Sequence, residues 1–173
     1  FFDELHSEIN KNQNKTVVLV IHHPLFSNGA HGGQYSFHKN IFPINNKIPL
    51  PIVGSFINLL RKTTGASPQD LQNKQYATLI SRIKPLIQNL DNVIVVSGHD
   101  HNLQYIEQEG IKQVISGAGS KKEATKVTGK KDFNFGGNGF AIMDFYSNGA
   151  IINRFFSTDN NELKELIAIP IQE

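Results

Sequence analysis

Two apolar runs without a polar break dominate the hydrophobic pattern: Thr16-Val17-Val18-Leu19-Val20-Ile21 and Val93-Ile94-Val95-Val96-Ser97. Continuous β-branched runs of this length read as strands buried on both faces, the habit of parallel sheets. Ahead of the first run, Leu5 to Ile9 has the spacing of an amphipathic helix near its end. Between the runs, Gly54 to Lys62 places Phe56, Leu59 and Leu60 at helical spacing. Ser67-Pro68-Gln69-Asp70 resembles a helix start, a capping residue followed by proline in the first turn. The stripe Leu71, Ala77, Ile80, Ile83, Ile87 and Leu90 then predicts a long helix with a break near Pro85.

After the second run the period shortens. Antiparallel strands are expected at Leu103–Glu107, Gln113–Ser116, Gly139–Phe145, Ala150–Ser157 and Leu166–Ile171. Tyr146-Ser147-Asn148-Gly149 supplies hairpin turn chemistry between two of them. From Ser27 to Pro51 the chain is polar and rich in Gly, Asn and Pro, a long loop of the kind that is functional or inserted. The order of strand, helices, strand and antiparallel strands predicts an α/β or α+β layered domain, sheet packed on sheet with helices outside.

Composition narrows the class. With 173 residues, 39% apolar and 18% charged, the chain is one domain with a real core and no sign of disorder. A net charge of +2 and the lack of a basic stripe interleaved with aromatics argue against nucleic acid as a partner. No cysteine is present, which removes disulfides and thiolate chemistry. The apolar runs are too short for a membrane span. The chain opens Phe1-Phe2-Asp3 without a methionine, which leads us to expect an excised piece of a longer protein, residues 1–173 forming a single partial domain.

The candidate chemistry lies where the two runs end. His22-His23-Pro24 follows the first and Gly98-His99-Asp100-His101 the second, at the carboxyl edge where open α/β sheets bind ligands. In extended geometry His99 and His101 point to one face, roughly 7 Å apart. That spacing suits neutral imidazoles reaching toward two metal ions held about 3.5–4 Å apart. Gly98 reads as a residue that lets the backbone pass close to a ligand. Asn28, Asp100 and Asn102 are available to fix imidazole tautomers, or are ordinary turn residues.

These residues carry a resemblance. His22-His23-Pro24-Leu25-Phe26-Ser27-Asn28-Gly29-Ala30-His31-Gly32 resembles the His-x-Pro block of calcineurin-like metallophosphoesterases, and Gly98-His99-Asp100-His101-Asn102-Leu103-Gln104 their closing Gly-His-x-His block. The Asn-Leu-Gln tail and Ser116-Gly117-Ala118-Gly119-Ser120 are similar to the small purple acid phosphatases of tartrate-resistant type. The resemblance covers roughly residues 5 to 157, and about 33–75 departs from it as a long insertion.

It implies the carboxyl-terminal half of a four-layer α/β/β/α sandwich. It implies that His22 and His99 bind one metal ion, that His101 binds a second, and that His31 is a catalytic histidine that contacts phosphate or assists the leaving group. His23 stands where relatives vary and receives no role. The implied reaction is phosphomonoester hydrolysis, an in-line attack with two cations offsetting the developing charge. Iron, manganese and zinc stay open as the metals, a phosphate ester is the implied partner, and the implied setting is periplasmic or extracellular.

The remaining blocks of that family, Asp-x-His, Gly-Asp-x-x-Asp and Gly-Asn-His-Asp, do not occur in the chain. Three neutral imidazoles cannot offset two cations without carboxylates, so the chain by itself is expected to hold one ion or none and to lack meaningful phosphatase activity. A non-catalytic scaffold or interaction module is the alternative reading, and a self-contained three-histidine zinc site a third. A half-domain also exposes a sheet edge, which favours self-association. The lysines at 121, 122, 126, 130 and 131 either steer anions or form a solvated loop.

Overall fold

The computed structural model describes residues 1–34, 41, 48–64, 67–126, 129–159 and 162–172. The two apolar runs form β1 (Val17–Ile21) and β2 (Val93–Ser97), parallel neighbours in register from Val17 opposite Val93 to Ile21 opposite Ser97. On the other side of β2 lie β3 (Leu103–Gln108), β4 (Ile111–Ser116) and β5 (Phe133–Phe135), giving a five-stranded sheet of order β1-β2-β4-β3-β5. A second sheet is antiparallel: β6 (Gly139–Phe145), β7 (Ile151–Ser157) and β8 (Lys164–Gln172). The helices are α1 (Phe2–Lys11), α2 (Pro51–Thr64) and α3 (Lys74–Ile87).

The alternation of side chains along β2 divides the interior into two cores. Val93 and Val95 turn to the helices and pack with Ile9 of α1, Ile83 and Ile87 of α3, and Leu25 and Phe26. Ile94 turns the other way, toward Leu103, Tyr105 and Val114 and, from the second sheet, Ile151, Phe155 and Ile171. Each fully buried side chain of this size contributes about 1.5–3 kcal/mol. The fold is therefore α+β, with a helical layer, a mixed sheet and an antiparallel sheet. The outer face of the second sheet leaves Phe140, Ile142 and Ile167 exposed, where a four-layer sandwich puts further helices. Arg154 ties that face together, its guanidinium 2.8 Å from Asp144 and 3.2 Å from Glu165.

Several expectations are corrected. β1 is not buried on both faces: it is an edge strand whose exposure alternates, with Val20 73% exposed. The second sheet does not cover it, and Val18, Val20, Val96, Val114, Ala141 and Met143 line an open groove of about 180 Å³ between the sheets. α3 starts at Lys74 rather than near Ser67, because Asn73 caps it by accepting from the Gln75 amide at 3.1 Å. It also runs through Pro85, which lies in its last turn and removes a single ladder bond.

Apolar spacing in α2 does not mark a buried face, since Phe56 and Leu59 are exposed. The strands after β2 are not all antiparallel: β4 pairs with β2 in parallel. Between β3 and β4, Glu109 (φ 54°) and Gly110 (φ 70°) form a two-residue hairpin turn with both φ positive. The expected loop from Ser27 to Pro51 and the insertion at about 33–75 fall partly outside the described residues.

Candidate metal centre

Because β1 and β2 are parallel neighbours, their carboxyl ends emerge side by side and bring the two histidine motifs together. The Gly98 amide donates to the carbonyl of His22 at 3.2 Å, extending the β1–β2 pairing by one bond. A cavity of about 440 Å³ opens there, lined by His22, His31, Gln69, Gly98, His99, His101, Gly117 and Ser120. The structure thus brings together all four histidines singled out from the sequence.

Their arrangement differs from the expected one. The His-x-His segment is not extended, since His99 takes φ 65°, in the left-handed region that non-glycine residues rarely adopt. The ring centroid of His99 lies 5.3 Å from His22, 4.3 Å from His23 and 4.2 Å from His31. His101 lies on the cavity wall with Nδ1 buried and unpartnered. A Cβ at Gly98 would meet no protein atom, only the open cavity that Gly98 lines. The tight glycine is Gly117, where a Cβ would run into the carbonyl of Asp100.

The groups that hold these rings were not evident from the sequence. Nδ1 of His31 is 3.0 Å from Oδ1 of Asp70, a carboxylate that is almost fully buried. That contact leaves Nε2 of His31 for the cavity. Nε2 of His99 lies 3.1 Å from the carbonyl of Gln69. Asp70 and Gln69 reach the site through the turn before α3, which the Leu71 amide pins to the carbonyl of His31 at 3.0 Å. Tyr76 of α3 meets the His23 ring edge-on, 5.1 Å between centroids, while its hydroxyl donates to the carbonyl of Pro24.

Asn28, Asp100 and Asn102 help to build the loops. The Ser27 hydroxyl donates to Asp100, the Asn28 side chain donates to Asp132 at 2.8 Å, and Asn102 accepts from Gln104 at 2.6 Å. Two fully buried glutamines complete the scaffold. Gln113 accepts from the amides of Leu25 and Phe26 and donates to the carbonyl of Phe26, and Gln104 accepts from the amide of Asn28. A polar residue amid a strand's apolar positions was the one available signal for Gln113.

The electrostatics favour the neutral form of His23 and of His99. Burial, and then the nearby rings of His99, His22 and His31, hold His23 below the usual histidine range. His99 is also lowered, chiefly by burial, with the Gln69 carbonyl opposing. Burial raises the Asp100 carboxyl, opposed by the Ser27 hydroxyl.

Neutral imidazoles are the form that binds metal. One ligand atom from each of His22, His23 and His99 lies within 4.8 Å of the others, and this group contains no carboxylate. Carboxylates gather with an imidazole in a second group, His31, Asp100 and Glu123, which contains none of His22, His99 and His101. Each of these two groups among the described residues could hold an ion, and His22, His99 and His101 bring no carboxylate of their own to a pair of cations.

The Ser116–Ser120 segment contributes Gly117 and Ser120 to the cavity wall, but the Gly117 amide is already donated to the carbonyl of Asn102. Of the lysine group, Lys122 pairs with Asp159 at 3.8 Å and Lys131 with Glu107 at 2.8 Å, both at the surface.

No family model matches the chain. It is similar to tartrate-resistant acid phosphatase type 5 of Homo sapiens, 36% identical over 80 residues, which are 40% of this chain and 25% of that protein. The corresponding enzyme of Sus scrofa is 39% identical over 77 residues, 38% of this chain and 23% of that protein. The chain thus matches about a quarter of these relatives' length. Among solved structures, one titled "GAP50 the anchor in the inner membrane complex of Plasmodium" superposes with a TM-score of 0.61 at 17% identity, over 98% of this chain and 41% of the other. That likeness is one of fold. The sequence matches relate part of the chain to acid phosphatases, and the scaffold is phosphoesterase-like.

Proposed function

We propose that this chain is the carboxyl-terminal part of a metal-dependent phosphoesterase that hydrolyses phosphate monoesters in the whole protein. One observation carries the reading: the ends of two parallel strands place His22, His31, His99 and His101 around a single polar cavity. In it, His22 and His99 serve one metal ion and His101 a second, the anionic ligands coming from elsewhere in the parent protein. The metals supply charge neutralisation and activation of water when bound. His31, held at Nδ1 by Asp70, presents Nε2 to the phosphate or to the departing oxygen. The rigid turn around Gln69 and Asp70 fixes that ring without occupying the cavity centre.

The test is hydrolysis of p-nitrophenyl phosphate by the whole protein loaded with iron, manganese or zinc. Turnover is expected, with His99→Ala and His22→Ala each costing at least about 100-fold, the scale of losing a group that neutralises transition-state charge. The 173-residue chain is expected to show none on its own. A whole protein silent with every metal overturns the proposal and leaves the scaffold as a non-catalytic module.

A further inference from the structure

We propose that His22, His23 and His99 form a mononuclear site for one divalent transition-metal ion of the zinc class, with His101 outside its ligand set. This borders the cavity of the proposed function, which His22 and His99 line while His23 lines a neighbouring pocket with Tyr76, and it deepens that reading by giving a role to His23 and a composition to what the chain binds by itself.

Three observations converge. The rings of His22, His23 and His99 are mutual neighbours, with centroids 4.9, 5.3 and 4.3 Å apart, and one ligand atom from each lies within 4.8 Å of the others. Three imidazoles this close together are a donor set that zinc and cobalt accept without a carboxylate.

The second observation is backbone strain. His99 is held at φ 65°. A left-handed conformation outside glycine costs about 1–3 kcal/mol, and persists where the surroundings over-determine it, typically at functional sites. In this conformation the His99 ring lies beside those of His22, His23 and His31.

The third is support behind the ligands. Tyr76 braces the His23 ring edge-on, and its hydroxyl is anchored on Pro24, in the same turn that follows β1. The Gln69 carbonyl engages one nitrogen of His99, as the outer partners of metal-bound imidazoles do. His23 thus stands in a built position, although it was the histidine without an expected role.

The experiment is titration of the metal-stripped 173-residue chain with Co²⁺, followed by its visible ligand-field absorption, and with Zn²⁺ by calorimetry. One equivalent is expected, with a tetrahedral cobalt spectrum. His23→Ala, His23→Gln and His99→Ala should each weaken binding at least about tenfold, at or beyond the scale of losing a supporting partner, while His101→Ala stays within about twofold. Amide spectra of each variant establish that it is folded. If neither metal binds to the folded wild type, if both folded His23 variants bind as it does, or if His101→Ala abolishes binding, the proposal is overturned. Turnover by the whole protein is a separate reading, so the phosphoesterase proposal stands or falls independently.

Discussion

His31 and Asp70 meet across 3.0 Å, Nδ1 to Oδ1, from opposite sides of the cavity rim. One belongs to the turn after β1, the other to the turn before α3, and the carboxylate is only 1% exposed. A buried carboxylate facing an imidazole fixes which nitrogen carries the proton and which faces outward. Asp70→Ala is expected to lower stability by about 1–3 kcal/mol in urea denaturation, the cost of removing one partner from a buried polar pair. The same variant should broaden or double the His31 ring resonances, because the ring loses its fixed orientation.

Gln113 holds the turn that carries the first histidine motif. Its side chain engages the Leu25 and Phe26 amides at 2.7 and 3.3 Å and the Phe26 carbonyl at 2.7 Å. Gln113→Met keeps the volume and orphans those backbone groups. A loss of at least about 2 kcal/mol is expected from chemical denaturation, since each buried orphan costs roughly 1–3 kcal/mol. A neutral outcome would show that the loop relaxes to solvent.

Gly117 is the place where the second histidine motif packs against the strand-end turn. A Cβ would collide with the carbonyl of Asp100, between His99 and His101. Gly117→Ala is therefore expected to displace both histidines, to lower stability by about 1–3 kcal/mol through overpacking, and to reduce metal binding. Gly98→Ala, with open space around it, serves as the control and should change little by comparison.

The pH dependence of the metal-free chain follows from His23 and His99, both lowered in the folded state. Between their folded values and the ordinary histidine value of about 6.5, the unfolded chain binds more protons than the folded one, so stability rises with pH. Their contribution is complete above about 6.5 and is lost as pH falls below it. Asp100, raised by burial, acts oppositely: its contribution is present below the ordinary aspartate value and declines as pH rises through its folded value. Urea midpoints measured with a chelator from pH 7.5 down to 5.5 should fall, and the fall should shrink in His23→Gln.

Much of the fold was legible because periodicity reports burial directly. The unbroken runs gave β1 and β2, and the shorter alternations gave β3, β4, β6, β7 and β8 within a few residues of their ends. β5 was missed, being three residues long and dependent on β3 for its pairing. The start of α3 was misplaced because Ser67-Pro68 and Asn73 both offer start chemistry. The contact between His31 and the turn at Asp70 and Leu71 is made by parts of the chain far apart in sequence, and no local pattern encodes it.

The sequence by itself determined that two strands end in histidines, that the chain is an α/β or α+β layered domain, and that its motifs resemble those of phosphoesterases. These are local properties, set by side-chain period and residue type. Tertiary structure alone decided which rings meet. His99, at φ 65°, sets its ring beside those of His22, His23 and His31, and the choice of φ depends on everything packed around that residue. It also decided that Asp70 and Gln69 support the rings of His31 and His99. Those partners are set by how the turn before α3 docks on the sheet edge, a long-range contact that spacing along the chain does not record.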